Sequence, residues 1–299
     1  MKEKLKISIL TPTYNREKLL PNLYNSLIIN SKFNLDIEWI IMDDGSTDNT
    51  KQLIENYMKE QKIEIRYFTQ KNQGKMAAIN NIVEKATGDL IIECDSDDYF
   101  TSSAFEVIKN AYNKYIQEKN VYALCFLKYD QKGKNMGNIF RNEKTTMFDL
   151  YFKEGETGEK ALVFFTNVRK KYKYKIEKKE KFVTEARMYH EMDLNYKIIC
   201  INEPIMICEY KEDGYTQNIK EQFCNNPYGY YEYFKEIFKQ DLSGINFKKK
   251  LYIIKHFILF KHLTNSKNGL KYVKGFFYKL MYILLYIPGI IKTDKDFKN

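Results

Sequence analysis

Leu90-Ile91-Ile92-Glu93-Cys94-Asp95-Ser96-Asp97-Asp98 is a short apolar run that ends abruptly in three carboxylates. Residues 90–94 read as a strand, because they are few, mostly apolar and bounded by polar residues. Three carboxylates at one strand end repel one another and sit poorly in a core without a counter-cation. A hard divalent cation such as Mg2+ or Mn2+ removes the conflict, since carboxylate oxygens are its preferred ligands. The same aspartates also suit a cap for the helical pattern that starts near Thr101.

Upstream, residues 5–10, 37–42 and 63–68 repeat the strand pattern, and residues 16–30, 48–61 and 74–86 show helical spacing between them. Asp48 and Thr50 are candidate helix caps, and Gly88 is expected to end the third helix. Such alternation predicts an α/β fold with a largely parallel sheet and helices on both faces. Sheets of this kind bind ligands at the carboxyl ends of their strands. The polar clusters fall there. Thr11-Pro12-Thr13-Tyr14-Asn15-Arg16 follows the first strand, which Pro12 is expected to stop. Asp43-Asp44-Gly45-Ser46-Thr47-Asp48 follows the second; it suits either a nucleotide contact or a tight turn with a cap. Asn72-Gln73-Gly74-Lys75, then Met76-Ala77-Ala78-Ile79-Asn80-Asn81, follows the third and sets Lys75 at a helix start, where it can meet negative charge.

Taken together, the four spaced motifs resemble family 2 glycosyltransferases of the GT-A fold, over about residues 5–110. The resemblance implies a Rossmann-like, mostly parallel central sheet followed by a helical C-terminal extension. It implies that Pro12, Tyr14 and Asp44 hold the nucleotide base and ribose. It further implies that Asp95 and Asp97 form an Asp-x-Asp pair, with Asp97 the direct ligand of Mn2+ or Mg2+ and Asp95 also facing the donor. Lys75 matches the family pattern less well. Inversion at the anomeric carbon by direct displacement follows from membership.

Downstream, a helix is expected over 101–116, a strand over 121–128, a short helix near 147–152, a strand over 161–166, a helix over 181–192, and strands over 198–201 and 205–210. Gly158-Glu159-Lys160, Val168-Arg169-Lys170-Lys171-Tyr172, Lys181-Phe182-Val183-Thr184-Glu185 and Asn202-Glu203-Pro204 are similar to a bacterial subgroup that builds surface polysaccharides. That subgroup often has Pro at the position of Thr184 and Gly-Glu at Lys179-Glu180. Its acceptor-side base falls on Glu185, with His190, Glu191 and Asp193 as rivals on the same helix. Residues 1–220 are therefore expected to form the catalytic domain, with the donor and metal half at 1–110 and the acceptor half at 111–220. Residues 221–299 read as a separate helical region ending near Pro288-Gly289.

The net charge of +10 belongs to that region. Residues 1–100 carry 13 Lys/Arg against 16 Asp/Glu, whereas residues 244–293 carry ten lysines and no acid. Lysines mixed with Tyr, Phe, Ile and Leu suit a basic amphipathic helix lying on an anionic membrane surface. The alternative is a helical pack with solvated lysines. The longest lysine-free apolar run, residues 280–291, is shorter than the roughly 20 residues that span a bilayer. No nucleic-acid motif accompanies the charge, so nucleic acid is not an expected partner. Five cysteines, odd in number and without a C-x-x-C pair, suit a reducing cytoplasm. The first nine residues lack the apolar length of a signal peptide. The expected protein is cytoplasmic, peripheral on the inner membrane face, and moves a sugar from a nucleotide-sugar, UDP-linked by family expectation, to a glycan or lipid-linked acceptor. Two alternatives stand beside it: a sugar nucleotidyltransferase, which ordinarily shows a Gly-rich loop where this chain has residues 11–16, and a non-catalytic membrane-associated subunit.

Overall fold

The computed structural model describes residues 4–177, 180–208 and 219–286. Parts of the expected strand at 205–210 and of the apolar run at 280–291, and the helix end near Pro288-Gly289, lie outside them. In chain order come β1 (Lys6–Thr13), α1 (Leu20–Asn30), β2 (Asp36–Asp43), α2 (Thr50–Glu60), β3 (Glu64–Thr69) and α3 (Lys75–Val83). Next are β4 (Leu90–Glu93), β5 (Tyr99–Phe100), α4 (Ala104–Tyr115), β6 (Val121–Asp130), β7 (Lys144–Thr145) and α5 (Met147–Phe152). β8 (Lys160–Phe165), α6 (Thr166–Arg169), α7 (Glu185–Asp193) and β9 (Lys197–Cys208) follow. The remaining helices are α8 (Ile219–Asn225), α9 (Pro227–Ile237), α10 (Phe247–Leu263) and α11 (Phe276–Tyr286).

Two compact units interleave along the chain. The first comprises Met1–Thr146, Glu156–Lys173 and Tyr196–Tyr210; the second comprises Met147–Gly155, Tyr174–Asn195 and Lys211–Asn299. In the first unit a nine-stranded sheet runs in the order β3-β2-β1-β4-β8-β6-β9-β5, with β7 also on β9. β3, β2, β1 and β4 are parallel, as are β6 and β9, while β8 is antiparallel to both of its neighbours. β1 and β2 are buried along almost their whole length, which is why they read as apolar runs without alternation. Helix α1 turns Leu20, Leu23, Tyr24 and Leu27 inward, the spacing of one helical face. Trp39 lies at the centre of this core, and its indole Nε1 donates to Thr11 Oγ1 (2.9 Å), so the one polar atom of the ring is satisfied.

Three expectations are corrected here. Pro12 does not stop β1, which continues through it to Thr13. Even-numbered residues of β1 face β4, since Lys6 O accepts from Asp89 N and Leu10 O from Cys94 N; β4 registers no residue beyond Leu10↔Glu93. The nitrogen of Pro12 thus points where no ladder bond is required. Gly88 does not end α3, which stops at Val83. A Cβ at Gly88 would lie 2.7 Å from Lys6 O and 2.8 Å from Ser8 N, so glycine permits a close approach to β1. The two strands expected at 198–201 and 205–210 are one, β9, running through Pro204. Phe126 pairs with Ile201 and Leu127 with Pro204, so a bulge absorbs Asn202 and Glu203.

The second unit is helical. Phe148, Phe152, Phe234, Ile237, Phe238, Ile253, Ile254, Phe257 and Phe260 form its core, to which α5, α9 and α10 contribute. α7 packs on α5 and α9. The tyrosines of α9 serve this core, Tyr230 stacking on Phe260 and Tyr231 on Phe257. Glu180 accepts from Tyr228 N and Gly229 N, both at 2.7 Å, which places a carboxylate on the amino end of α9.

Candidate functional site

The carboxyl ends of β1 and β2 are laced by short polar side chains. Asn15 adopts a left-handed backbone (φ 54°), which asparagine tolerates better than most residues. Its N donates to Ser46 Oγ (2.9 Å) and its Oδ1 accepts from Thr47 N (2.8 Å). Ser46 N donates to Asp43 Oδ1 (2.7 Å) and Tyr67 Oη to Asp43 Oδ2 (2.5 Å). Asp44, almost fully buried, accepts from Gln70 Nε2 (2.7 Å), Gln73 N (2.8 Å) and Gly74 N (2.7 Å). A carboxylate offers about four lone-pair sites, so Asp44 anchors the loop into α3 and keeps about one site for a ligand. Pro12 is buried, whereas the Tyr14 ring is 46% exposed beside these loops.

At the tip of β4 the three aspartates meet different fates. Asp95 Oδ2 lies 2.8 Å from Lys75 Nζ, and Asp98 Oδ2 lies 2.8 Å from Lys128 Nζ. Among the described residues no side chain pairs with Asp97. Burial works against the charged form of Asp95, yet the Lys75 ammonium outweighs it and holds the carboxyl below its usual range. Burial, then the charges of Asp95 and Asp98, push the Asp97 carboxyl up to about 6. Asp97 is therefore the aspartate whose negative charge the surroundings compensate least, the Arg16 charge offsetting only part of the burial and repulsion. That donor set suits a hard divalent cation, which Asp97 would hold with Asp95 beside it. The capping alternative fails: in the first turn of α4, Phe105 N donates to Asn30 Oδ1 (3.0 Å).

Two basic residues beneath the tip escaped sequence reasoning as site residues. Arg169, fully buried, donates from Nε to Glu93 Oε1 (2.5 Å) and from Nη1 to Tyr172 O (2.6 Å), fixing the last residue of β4. Lys128, on β6, lies 2.8 Å from Asp98, 3.4 Å from Glu159 and 3.6 Å from Cys208 Sγ. Burial alone would lower its ammonium, but Asp98, Cys208 and Glu159 outweigh that and hold it well above its usual value. Asp98, Glu159 and Cys208 are the one group of three ligand-type side chains clustered closely enough for a metal among the described residues. The Lys128 ammonium already supplies that group with its cation. The available sequence signal was slight, a single lysine closing the apolar run of β6.

Glu185 is the first residue of α7, in the second unit, after Thr184 in extended conformation. Its rivals have other work. Asp193 accepts from Met147 N (3.2 Å) and Phe148 N (2.8 Å), capping α5. Glu191 is paired with Lys175 at 2.6 Å. His190 is buried against Phe148, Phe152 and Tyr233, and burial lowers its imidazole to about 3. A histidine so desolvated is a core residue. The first unit thus holds Pro12, Tyr14, Asp44, Lys75, Asp95 and Asp97, and the second holds Glu185.

The fold and its motifs have known counterparts. An uncharacterized glycosyltransferase of Haemophilus influenzae is 39% identical over 127 residues, 42% of this chain and 50% of that protein. The Staphylococcus aureus poly(ribitol-phosphate) β-N-acetylglucosaminyltransferase TarS is 32% identical over 107 residues, 36% of this chain and 18% of that protein. The chain thus matches half or less of the length of these curated relatives. Among solved structures, S. aureus TarS residues 1–349 with UDP-GlcNAc superposes with a TM-score of 0.62 at 19% identity, covering 94% of this chain and 79% of that one. The mannosyltransferase PcManGT of Pyrobaculum calidifontis, with GDP-Man and Mn2+, gives 0.56 at 13% identity, covering 99% and 83%. These likenesses carry the GT-A fold. The model of Glycosyl transferase family 2 matches residues 8–176, more than half of the sequence, and the chain belongs to that family.

Proposed function

We propose that this protein transfers a sugar from a nucleotide-sugar, UDP-linked, to a hydroxyl of a glycan or lipid-linked acceptor in surface polysaccharide synthesis, with inversion. One observation carries the reading: of three aspartates at the β4 tip, two have lysine partners and Asp97 is the least compensated. The named activity of TarS, and the UDP-GlcNAc in its structure, favour a UDP-sugar. Tyr14, exposed beside the laced loops, offers its ring to the base, and Asp44 keeps acceptor capacity for base or ribose. Asp97 and Asp95 would hold a divalent cation, which would supply positive charge for the departing diphosphate. Lys75, now on Asp95, is placed to turn to a phosphate once that carboxylate has its cation. Glu185, at the first position of α7 and at the acidic position where the family resemblance sets the acceptor-side base, takes the proton from the attacking hydroxyl. The site works at the inner membrane face.

Two measurements test this. Slow release of UDP from a UDP-sugar in Mn2+, stopped by a chelator, is expected; UDP binding indifferent to Mn2+ and unchanged in Asp95→Ala and Asp97→Ala would refute it. Glu185→Gln is expected to cut acceptor-dependent turnover by about 10²-fold or more while calorimetric UDP affinity stays the same. Substantial turnover in that variant would remove Glu185 from the mechanism.

A further inference from the structure

α11 is docked by one face only. Tyr278, Met281 and Tyr282 are buried, Tyr278 against Phe238 (ring centroids 6.2 Å) and Tyr282 against Phe257 (6.1 Å), so the rotation of the helix is fixed. Phe276, Phe277, Leu280, Ile283 and Leu284 point the other way, Phe276 at 84% exposure and the rest at 43–52%. Their spacing makes a continuous outward stripe along the helix. Phe247, at the start of α10 and 62% exposed, lies 6.5 Å from Phe277 and extends it. Isolated exposed apolar residues need no explanation, but an ordered stripe of this size does.

Along the chain, the charge flanking the stripe has a single sign. Lys248, Lys271, Lys274 and Lys279 are exposed, Lys250 Nζ lies 5.3 Å from the Phe277 ring centroid, and no acidic residue occurs between 244 and 293. A protein partner would have to answer both the apolar stripe and its flanking lysines; an anionic lipid surface does so by its construction, acyl chains beneath phosphates. Lysine stems can lie along the apolar boundary with their ammoniums in the headgroups. Length separates lying from spanning: the 11 residues of α11 rise roughly 16 Å, about half of a ~30 Å hydrocarbon core. No described helix is long and apolar enough to cross.

We infer that α11 is the membrane-inserting element, its Phe276–Leu280–Ile283–Leu284 face sinking into an anionic bilayer beneath a collar of lysines. The assignment rests on the reading that this enzyme works at a membrane surface, and it names the element responsible. Flotation of the full chain with phosphatidylglycerol/phosphatidylcholine vesicles tests it, against pure phosphatidylcholine and against the variant Phe276→Ser/Leu280→Ser/Ile283→Ser. The full chain is expected to float with the anionic vesicles, less so as salt rises, and the variant to partition at least about tenfold more weakly. The variant should keep its melting temperature and its Mn2+-dependent release of UDP, because the replaced side chains face outward. If the full chain ignores anionic vesicles, the membrane reading and the α11 assignment both fall. If the full chain floats and the variant floats equally well, only the assignment to α11 falls. If sedimentation shows that the face instead joins two copies, with vesicle binding unaffected by the substitutions, the partner is a second chain and the inference is overturned.

Discussion

Two acidic strand tips in this protein look alike on paper and behave differently. After β2, Asp43 and Asp44 take their hydrogen bonds from backbone amides, a glutamine and a tyrosine, all neutral donors held by the loops. After β4, Asp95 and Asp98 are balanced by lysine ammoniums, whereas among the described residues no side chain pairs with Asp97, on which the more distant Arg16 charge acts favourably. Fixed amides make a carboxylate part of the scaffold, because removing it orphans buried N–H groups. Ammoniums on flexible stems, with one carboxylate left over, make a cluster whose charge a cation would balance. The first tip shapes the floor; the second is the proposed binding end.

Substitution should separate the two. Asp97→Asn is expected to lower Mn2+-dependent turnover by about 10²–10³-fold, as loss of a main transition-state electrostatic contact does. Without metal its melting temperature should match or exceed that of the wild type, since a repulsive charge has gone. Asp44→Ala should instead unfold in less denaturant, with or without Mn2+, by about 1–3 kcal/mol for the amides it orphans. If the two variants exchange these signatures, the distinction between the tips is wrong.

Lys128→Met probes the second tip from its cationic side. It leaves Asp98 buried opposite Glu159 without its cation, and about 3–5 kcal/mol of stability should be lost in chemical denaturation. Adding Asp98→Asn should return a large part of that loss, as a double-mutant cycle would reveal. Additive losses would mean that the pair is not coupled.

The smallest effect is a dependence on pH. The Asp97 carboxyl, raised to about 6, holds a proton in the folded chain that the unfolded chain, with an ordinary pKa near 3.9, has released. Across about pH 4–6 the folded state thus binds more protons, and this group makes the metal-free protein less stable as pH rises. Mn2+ must displace the same proton, so its affinity should fall by up to about tenfold per unit below pH 6. Calorimetric titration over that range checks this, with Asp97→Asn as the flat reference. Buried His190 has the opposite sign, its imidazole lowered to about 3, so comparison with the variant isolates the Asp97 contribution.

Sequence periodicity disclosed the parallel half of the sheet because β1, β2 and β4 are buried on both faces and carry their polar clusters immediately after the strand. It also singled out the acidic cluster that holds Asp97, since clustered acids at a strand end are anomalous on any structural reading. Lys128 stayed hidden because its partner Asp98 is thirty positions away, a pairing made by sheet order that no local window contains. Pro12 and Pro204 misled for one reason: whether a proline interrupts a strand depends on which side its nitrogen faces and on neighbouring registers. The burial of His190 and the partners of Glu191 and Asp193 were not legible, because spacing along one helix encodes neither.

The path of the chain between its units has a practical consequence. α5 and α7 arrive early in the sequence, yet their apolar faces are closed by α9, which arrives late. Clipping the polypeptide at residue 220 would thus amputate the wall against which α7 is seated, baring Phe148, Phe152 and His190 to water and leaving Glu185 on an unsupported helix. Shortened versions of this protein are poor instruments for separating its parts: exposed core side chains favour aggregation, whereas single outward-facing replacements leave the architecture standing.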